Sequence, residues 1–284
     1  MSGRTLVDNL RYDGKRVVVT GAARGIGAAT VEVLLDLGAE VIAMDIAETD
    51  VGSRYIHVDL TDRKSIDAAF RHIEGPVHGL FNSAGVGSTA SFREALLCNF
   101  VGTRHLTELI EPLMPSGSAV VTVSTTGSHD WRDYVHQFGS LVETSGFAAG
   151  EAWIDENADR LDRGYSASKR AIMLYTVLKA NEWAARGVRI NTTSPHATVT
   201  PMWQKFVDGV DEQYRQIAYS LEGRTCRPEV QAYAMAFLNS DAASFITGID
   251  LPVDGGWLTK FAPGNENLLK NIGDPLKAVR PGSG

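Results

Sequence analysis

From residue 16 onward, short runs rich in β-branched residues alternate with longer segments of helical period, and few architectures accept that order. "RVVVT" (16–20) precedes the helical "GIGAATVEVLLDLG" (25–38), and "EVIAMD" (40–45) and "YIHVD" (55–59) precede "DRKSIDAAFRHI" (62–73). "VHGLFNSAG" (77–85), the helical "FREALLCNFVGTRHLTELIEPLM" (92–114) and the strand-like "SAVVTVS" (118–124) follow. Beyond them lie a helical "RGYSASKRAIMLYTVLKANEWAARG" (163–187) and two more strand candidates, "VRINTTSP" (188–195) and "GIDLPVDGG" (248–256). Continuous apolar runs suit strands buried on both faces, with the helices as crossovers. The pattern predicts an α/β fold built on a doubly wound parallel sheet. No internal repeat or long linker divides the 284 residues, so a single domain is expected.

Two segments stand outside the alternation. Residues 129–162 hold eight Asp/Glu against two Arg, together with Trp131, Tyr134, Phe138, Phe147 and Trp153. Acidic disordered tails lack such aromatics, so an ordered helical insertion is expected. The tail from Ala262, with "APGNENLLKN" and "RPGSG", reads as a loose arm that lies on a neighbouring subunit.

Charge and cysteine content narrow the partners. A formal net charge of −7 argues against nucleic acid and anionic membrane. Cys98 and Cys226 are too few for a disulfide framework, and no metal site is expected. The N-terminal "MSGRTLVDNLRYDG" lacks the apolar core of a signal peptide, and no apolar run reaches the ~20 residues that span a bilayer. The expectation is a cytoplasmic protein.

Chemistry concentrates at two places. In "VVVTGAARGIGAATVEVL", Gly21, Gly25 and Gly27 permit positive φ and close approach of a pyrophosphate to a helix N-terminus. Asp45 follows at the end of the second strand, where a carboxylate accepts ribose hydroxyls and repels a 2′-phosphate. The sheet is therefore expected to be Rossmann-like and its cofactor NAD, although Arg24 in the same turn partly offsets the bias against NADP. Asp59 ends a third strand, where it either meets an adenine edge or caps the next helix. The second place is "YSASK", which sets Tyr165 and Lys169 on one helical face. A phenol is a poor base at neutral pH, and a nearby ammonium is expected to lower its pKa.

With these motifs the chain resembles the short-chain dehydrogenase/reductase family over nearly its whole length. The resemblance rests on "TGAARGIG", Asp45, Asp59, "NSAG" (82–85), Asn99 in "CNFVG", the "VST" strand end, Tyr165, Lys169, "SPHATVT" (194–200) and "PVDGG" (252–256). It implies proton exchange by Tyr165, support of that group by Lys169, substrate orientation by Ser124 or Thr125, and a proton relay through Asn99. Register leans to Thr125 and keeps Ser124 as the rival; strand alternation points the two to opposite sides. The implied cofactor contacts are Gly21, Arg24, Gly25, Ile26, Gly27, Asp45, Ile46, Asp59, Leu60, Asn82, Ala84, Gly85, Tyr165, Lys169, Pro195, His196, Thr198 and Thr200. The resemblance also implies a homo-oligomer, a dimer or tetramer.

Departures from the family pattern are informative. The usual "NNAG" is "NSAG", and the usual Pro-Gly after the sixth strand is Pro195-His196. His196 therefore stands where the family keeps minimal bulk, and it reads as a structural histidine beside the nicotinamide pocket, with a catalytic histidine as the rival. The stretch from the strand hydroxyls to Tyr165 spans about 40 residues instead of roughly a dozen, because of the insertion. That spacing resembles the branch holding bacterial coniferyl-alcohol and 3α-hydroxysteroid dehydrogenases. The insertion either roofs the substrate site or covers helix faces that relatives use for a dimer contact. A substrate loop is expected at 201–224, with Met202, Trp203, Phe206 and Tyr214 giving it an apolar face. The implied activity is NAD-dependent oxidation or reduction of a bulky apolar alcohol or its carbonyl. Hydroxysteroid or dihydrodiol dehydrogenase, or a catalytically silent nucleotide sensor, stand as alternatives.

Overall fold

The computed structural model describes residues 5–158, 164–208, 219–221 and 223–261. The expected arm at 262–284, the end of the insertion and Tyr214 lie outside the described residues. Seven strands form one sheet: β1 (Arg16–Thr20), β2 (Glu40–Asp45), β3 (Arg54–His57), β4 (Gly79–Asn82), β5 (Ala119–Val123), β6 (Arg189–Pro195) and β7 (Asp250–Val253). Every pairing is parallel and the order is β3-β2-β1-β4-β5-β6-β7. The order reverses between β1 and β4, which opens a crevice at the carboxyl ends of those strands. This is the Rossmann-like doubly wound sheet expected from the alternation.

Strand alternation explains why the apolar runs are unbroken. Val18, Ile42, Met44, Leu80 and Val120 enter one core, while Val17, Val19, Val41, Ala43, Phe81 and Val121 enter the other. The second core is closed by α2 (Gly25–Asp36) and α10 (Pro228–Asn239), which pack together. The first is closed by α3 (Arg63–Phe70), α5 (Thr103–Ile110) and α8 (Gly164–Trp183). A short α1 (Leu6–Leu10) precedes β1, and its N-terminus is capped by Thr5 and Asp8.

The segment expected as one helix over 92–114 is interrupted. After α4 (Phe92–Leu96) the chain makes a π-helical turn over Leu97–Gly102 before α5 begins. At Gly102 a Cβ would stand 1.8 Å from the Leu60 carbonyl oxygen, so only glycine allows this crossing. Hydrophobic period carries no mark of such a bulge, which adds a residue without changing the buried face.

The insertion is helical and ordered by its aromatics, as expected. α6 (Val135–Val142) and α7 (Gly146–Asn157) lie against α8, α4 and the π-helical turn, with Trp131, Phe138 and Phe147 buried in the core they share. Residues 129–158 thereby cover faces of the main-body helices. Three arginines of the main body hold it. Arg104, fully buried on α5, donates to the carbonyls of Leu141 (3.1 Å) and Gly146 (2.8 Å) and to the Thr144 hydroxyl (2.9 Å). Arg170 makes a two-pronged pair with Asp130 at 2.9 and 2.6 Å, its guanidinium 3.7 Å above the Tyr134 ring. Arg93 pairs with Glu151 at 2.6 Å and with Asp155. α9 (Pro201–Asp208) then leaves the end of β6.

Candidate active site

The glycine-rich turn is shaped by contacts that exclude side chains. Gly21 and Gly25 have φ of +71° and +62°. A Cβ on Gly21 would lie 2.6 Å from the Ala84 amide nitrogen, and one on Gly27 would lie 1.9 Å from the Gly21 carbonyl oxygen. Arg24 is exposed, and as N-cap of α2 it makes no side-chain capping bond. The first amides of a 12-residue helix are thus left for an anion. Thr200 borders the turn, its methyl 3.3 Å from where a Gly25 Cβ would stand. Ile26 packs inward on the core beside α2.

Asp45, buried at the end of β2, accepts from the Ala23 amide at 3.0 Å and from the Ala47 amide at 2.9 Å. Its carboxylate therefore faces the glycine-rich turn, and Ile46 beside it is exposed. Glycines that no Cβ could replace, an uncapped helix start and a carboxylate one strand away together fit a dinucleotide. Asp59 turns its Oδ1 to the Thr61 amide (2.8 Å) and hydroxyl (2.7 Å), while Asp62 caps α3. The helix-cap reading of Asp59 therefore passes to Asp62, and Asp59 shapes the turn before it. Leu60 is buried in the core. Asn82 is also buried, its amide donating to the hydroxyls of Thr107 (3.0 Å) and Thr122 (3.2 Å), so its side chain braces β4 against α5 and β5. Ala84 is held by the Thr20 hydroxyl at 3.2 Å.

Across the crevice, α8 carries Tyr165 and Lys169 to the end of β5. The Thr125 hydroxyl, which accepts from the Gly127 amide at 3.4 Å, lies on the side of the Tyr165 phenol and favours its ionised form. Ser124 turns the other way: its hydroxyl is buried and donates to the Lys169 backbone carbonyl at 3.4 Å. Lys169 is buried with its ammonium on the Val123 carbonyl at 2.7 Å, 5.9 Å from the centre of the Tyr165 ring. Burial lowers its pKa to about 8. Burial also raises the Tyr165 pKa, and the nearby Thr125 hydroxyl only partly offsets this. The direction is opposite to the one expected from the ammonium's charge. In a dry site the desolvation of the phenolate outweighs attraction over this distance.

Asn99 sits in the π-helical turn and is almost fully buried. Its carbonyl accepts from the Val86 amide at 2.8 Å, and its amide donates to the Val86 carbonyl and to the Ser168 hydroxyl, both at 3.1 Å. Ser168 in turn donates to the Tyr165 carbonyl at 2.7 Å. Gly85 lies between these groups, since a Cβ there would stand 3.0 Å from the Asn99 oxygen and 3.8 Å from the Lys169 nitrogen. Cys98, the residue before Asn99, is buried, and burial pushes its thiol up to about 11. Ser168 was not singled out from the sequence. Its position three residues after Tyr165 on one helical face was the available signal.

At the end of β6, Pro195 is buried and Thr198 donates to the His196 carbonyl at 2.8 Å. Gln231 of α10 reaches the Thr198 hydroxyl at 3.3 Å. The His196 ring stacks on Trp257 with centroids 4.0 Å apart and planes 20° from parallel, and its Nδ1 is 2.8 Å from the Thr126 hydroxyl. Neither Thr126 nor Trp257 carries a local sequence signal for this contact. In α9, Trp203 and Phe206 stack at 5.4 Å, and Met202 lies over Gly87, with 3.2 Å between its Cγ and the place of a Gly87 Cβ. Met202 and Phe206 are exposed on α9.

Residues 15–140 match the family model described as short chain dehydrogenase, and residues 129–258 match one described as Enoyl-(Acyl carrier protein) reductase. A coniferyl-alcohol dehydrogenase of Pseudomonas sp. (strain HR199 / DSM 7063) is 30% identical over 254 residues, covering 89% of this chain and 100% of the relative. A D-threitol dehydrogenase of Mycolicibacterium smegmatis is 31% identical, covering 89% of this chain and 96% of the relative. The solved 3-alpha-hydroxysteroid dehydrogenase of Pseudomonas sp. B-0831, complexed with NADH, superimposes with a TM-score of 0.74 at 28% identity. That likeness covers 87% of this chain and 99% of the other.

Proposed function

The chain belongs to the short-chain dehydrogenase/reductase family, and on that premise we propose that it is an NAD-dependent alcohol dehydrogenase acting on a bulky apolar alcohol. The substrate would be aromatic, terpenoid or steroid, interconverted with its aldehyde or ketone. The observation that carries this reading is the convergence of Tyr165, the Thr125 hydroxyl and the buried Lys169 at the end of β5, with the Lys169 ammonium 5.9 Å from the Tyr165 ring and held by the Val123 carbonyl at 2.7 Å. It joins a proton-transfer group and an orienting hydroxyl where a doubly wound sheet opens its crevice.

Each side chain has a task in this reading. Thr125 offers one donor and one acceptor to the substrate oxygen and holds it against the phenol. Tyr165 takes the hydroxyl proton during oxidation and returns it during reduction. Lys169, fixed by the Val123 carbonyl, supports the phenolate with its charge. Asn99 and Ser168 tie the base of the site to the Val86 backbone and give a polar route away from the phenol. Gly21, Gly25 and Gly27 would cradle the pyrophosphate, and Asp45 would accept the ribose hydroxyls and disfavour a 2′-phosphate. Ile46, Thr198 and Thr200 border the same crevice. When bound, NAD supplies the hydride acceptor. Support for an apolar substrate comes from Met202, Trp203 and Phe206 of α9, where Met202 reaches Gly87 next to the Val86 backbone that Asn99 holds.

The test has two arms. Tyr165→Phe is expected to lose roughly 10²-fold or more in kcat while binding NADH as the parent does. Unchanged turnover in that variant would remove Tyr165 from the chemistry. NAD reduction across aromatic, terpenoid, steroid and polyol alcohols then reads the substrate class. Reaction with small polyols alone would overturn the apolar assignment in favour of a threitol-like substrate.

A further inference from the structure

We propose that His196 is a positioning residue that fixes the turn presenting Thr125 to Tyr165 and couples it to the C-terminal segment. The inference rests on the assignment of Thr125 and Tyr165 to the chemistry above. The turn over Thr126–Ser128 follows Thr125 directly, and its backbone closes on itself through the Ser128 amide and Thr125 carbonyl at 3.1 Å. That closure is local, so something outside the turn must set its angle to α8. Ser128 supplies one tether, its hydroxyl reaching the Ser166 carbonyl at 3.3 Å. His196 supplies another through Nδ1, at 2.8 Å from the buried Thr126 hydroxyl.

The imidazole is itself immobilised. Its ring lies face to face with Trp257, which opens the short helix Trp257–Phe261. That helix is seated by Asp254, which accepts from the Gly256 amide (2.9 Å) and the Leu258 amide (2.8 Å). The same segment holds the far end of the substrate loop: the Leu221 amide donates to the Gly255 carbonyl at 3.1 Å, and Lys260 donates to the Tyr219 carbonyl at 2.8 Å. His196 is thus the joint between the turn behind the catalytic hydroxyl and the segment that carries the substrate loop's end. A side chain one residue beyond a strand can hold two such elements only if it has both a flat face and a directional polar atom. Histidine has both, and glycine has neither.

The two properties can be separated. His196→Phe keeps the flat face and loses Nδ1, His196→Asn keeps a polar atom near Nδ1 and loses the stack, and His196→Gly loses both. The expected result is a fall in kcat of about tenfold or more in the Phe and Gly variants, with substantial recovery in Asn. The NADH dissociation constant, read by fluorescence titration, should stay within about twofold of the parent in all three. Amide exchange of Ser128 and His129 should quicken in the Phe and Gly variants, a readout that needs no substrate. Thr126→Val approaches the same bond from the other side, and its effect should be non-additive with His196→Phe. Unchanged kcat and exchange in the Gly variant, equal losses in all three His196 variants, or additivity with Thr126→Val would overturn the proposal. Loss of NADH affinity alone would also overturn it, by making His196 a cofactor contact. If the parent oxidised no alcohol, the functional reading would fall and the exchange data would still judge the tether.

Discussion

Ser124 and Thr125 stand side by side at the end of β5 and turn different ways: the Ser124 hydroxyl bonds to the backbone of α8, while the Thr125 hydroxyl acts on the Tyr165 phenol. Thr125→Val should therefore lower kcat by roughly 10²-fold or more, while Ser124→Ala should act through packing and cost less than about tenfold. Side-by-side steady-state assays check this, and a larger loss in Ser124→Ala would reverse the assignment. The direction of the phenol's pKa shift sets a pH dependence. Oxidation needs the phenolate, and burial favours the neutral phenol, so kcat/KM for oxidation should climb with pH on the alkaline side of neutrality. Removing the Thr125 hydroxyl takes away the polar group that partly offsets burial, so the climb should move to still higher pH in Thr125→Val. A profile that shifts to lower pH would contradict that sign. The residues were legible in the sequence because each belongs to a short pattern. The direction of the pKa shift was not, since it depends on solvent exclusion by segments distant in the chain.

At the scale of elements, the strands and most helices follow the expected positions within a few residues, because apolar period and glycine turns are local signals. The π-helical turn and the arginine anchors of the insertion are not local. Nothing local in the sequence marks Arg104, yet it is fully buried and its guanidinium donates to backbone carbonyls at the end of α6 and the start of α7. Burial holds its pKa below the ordinary guanidinium value. Arg104→Met leaves those carbonyls in an apolar setting, and a loss of about 2–4 kcal/mol is expected from urea unfolding. A loss under about 0.5 kcal/mol would mean that Arg104 does little to hold the insertion. The glycine-rich turn makes a second prediction. In Gly27→Ala the new methyl would meet the Gly21 carbonyl, so the turn must open and NADH affinity should fall by about tenfold or more. Fluorescence titration reads this directly, and parental affinity would argue that the turn is not the pyrophosphate cradle.

For the whole molecule, one sheet divides two cores and leaves its chemistry at one rim, an arrangement that the alternation of the sequence implied from the start. The sequence also showed an insertion of aromatic and acidic composition without showing which surface it would cover. Its charge explains part of the answer. Arg93 and Arg170 of the main body meet Glu151, Asp155 and Asp130, so the acidic excess of the insertion faces basic side chains on α4 and α8. The pair Thr125 and Tyr165 flanks this insertion, so two side chains that meet in space are 40 positions apart in the chain. Lengthening that connection from roughly a dozen residues costs only about 1 kcal/mol of closure entropy, which a few buried aromatics outweigh. Kinetically the same distance matters more. The sheet can register before the insertion has docked, whereas the proton-transfer pair meets only once α6 and α7 have closed onto α8. In refolding from urea, recovery of turnover should therefore lag the far-ultraviolet dichroism signal, and the lag should lengthen in Arg104→Met.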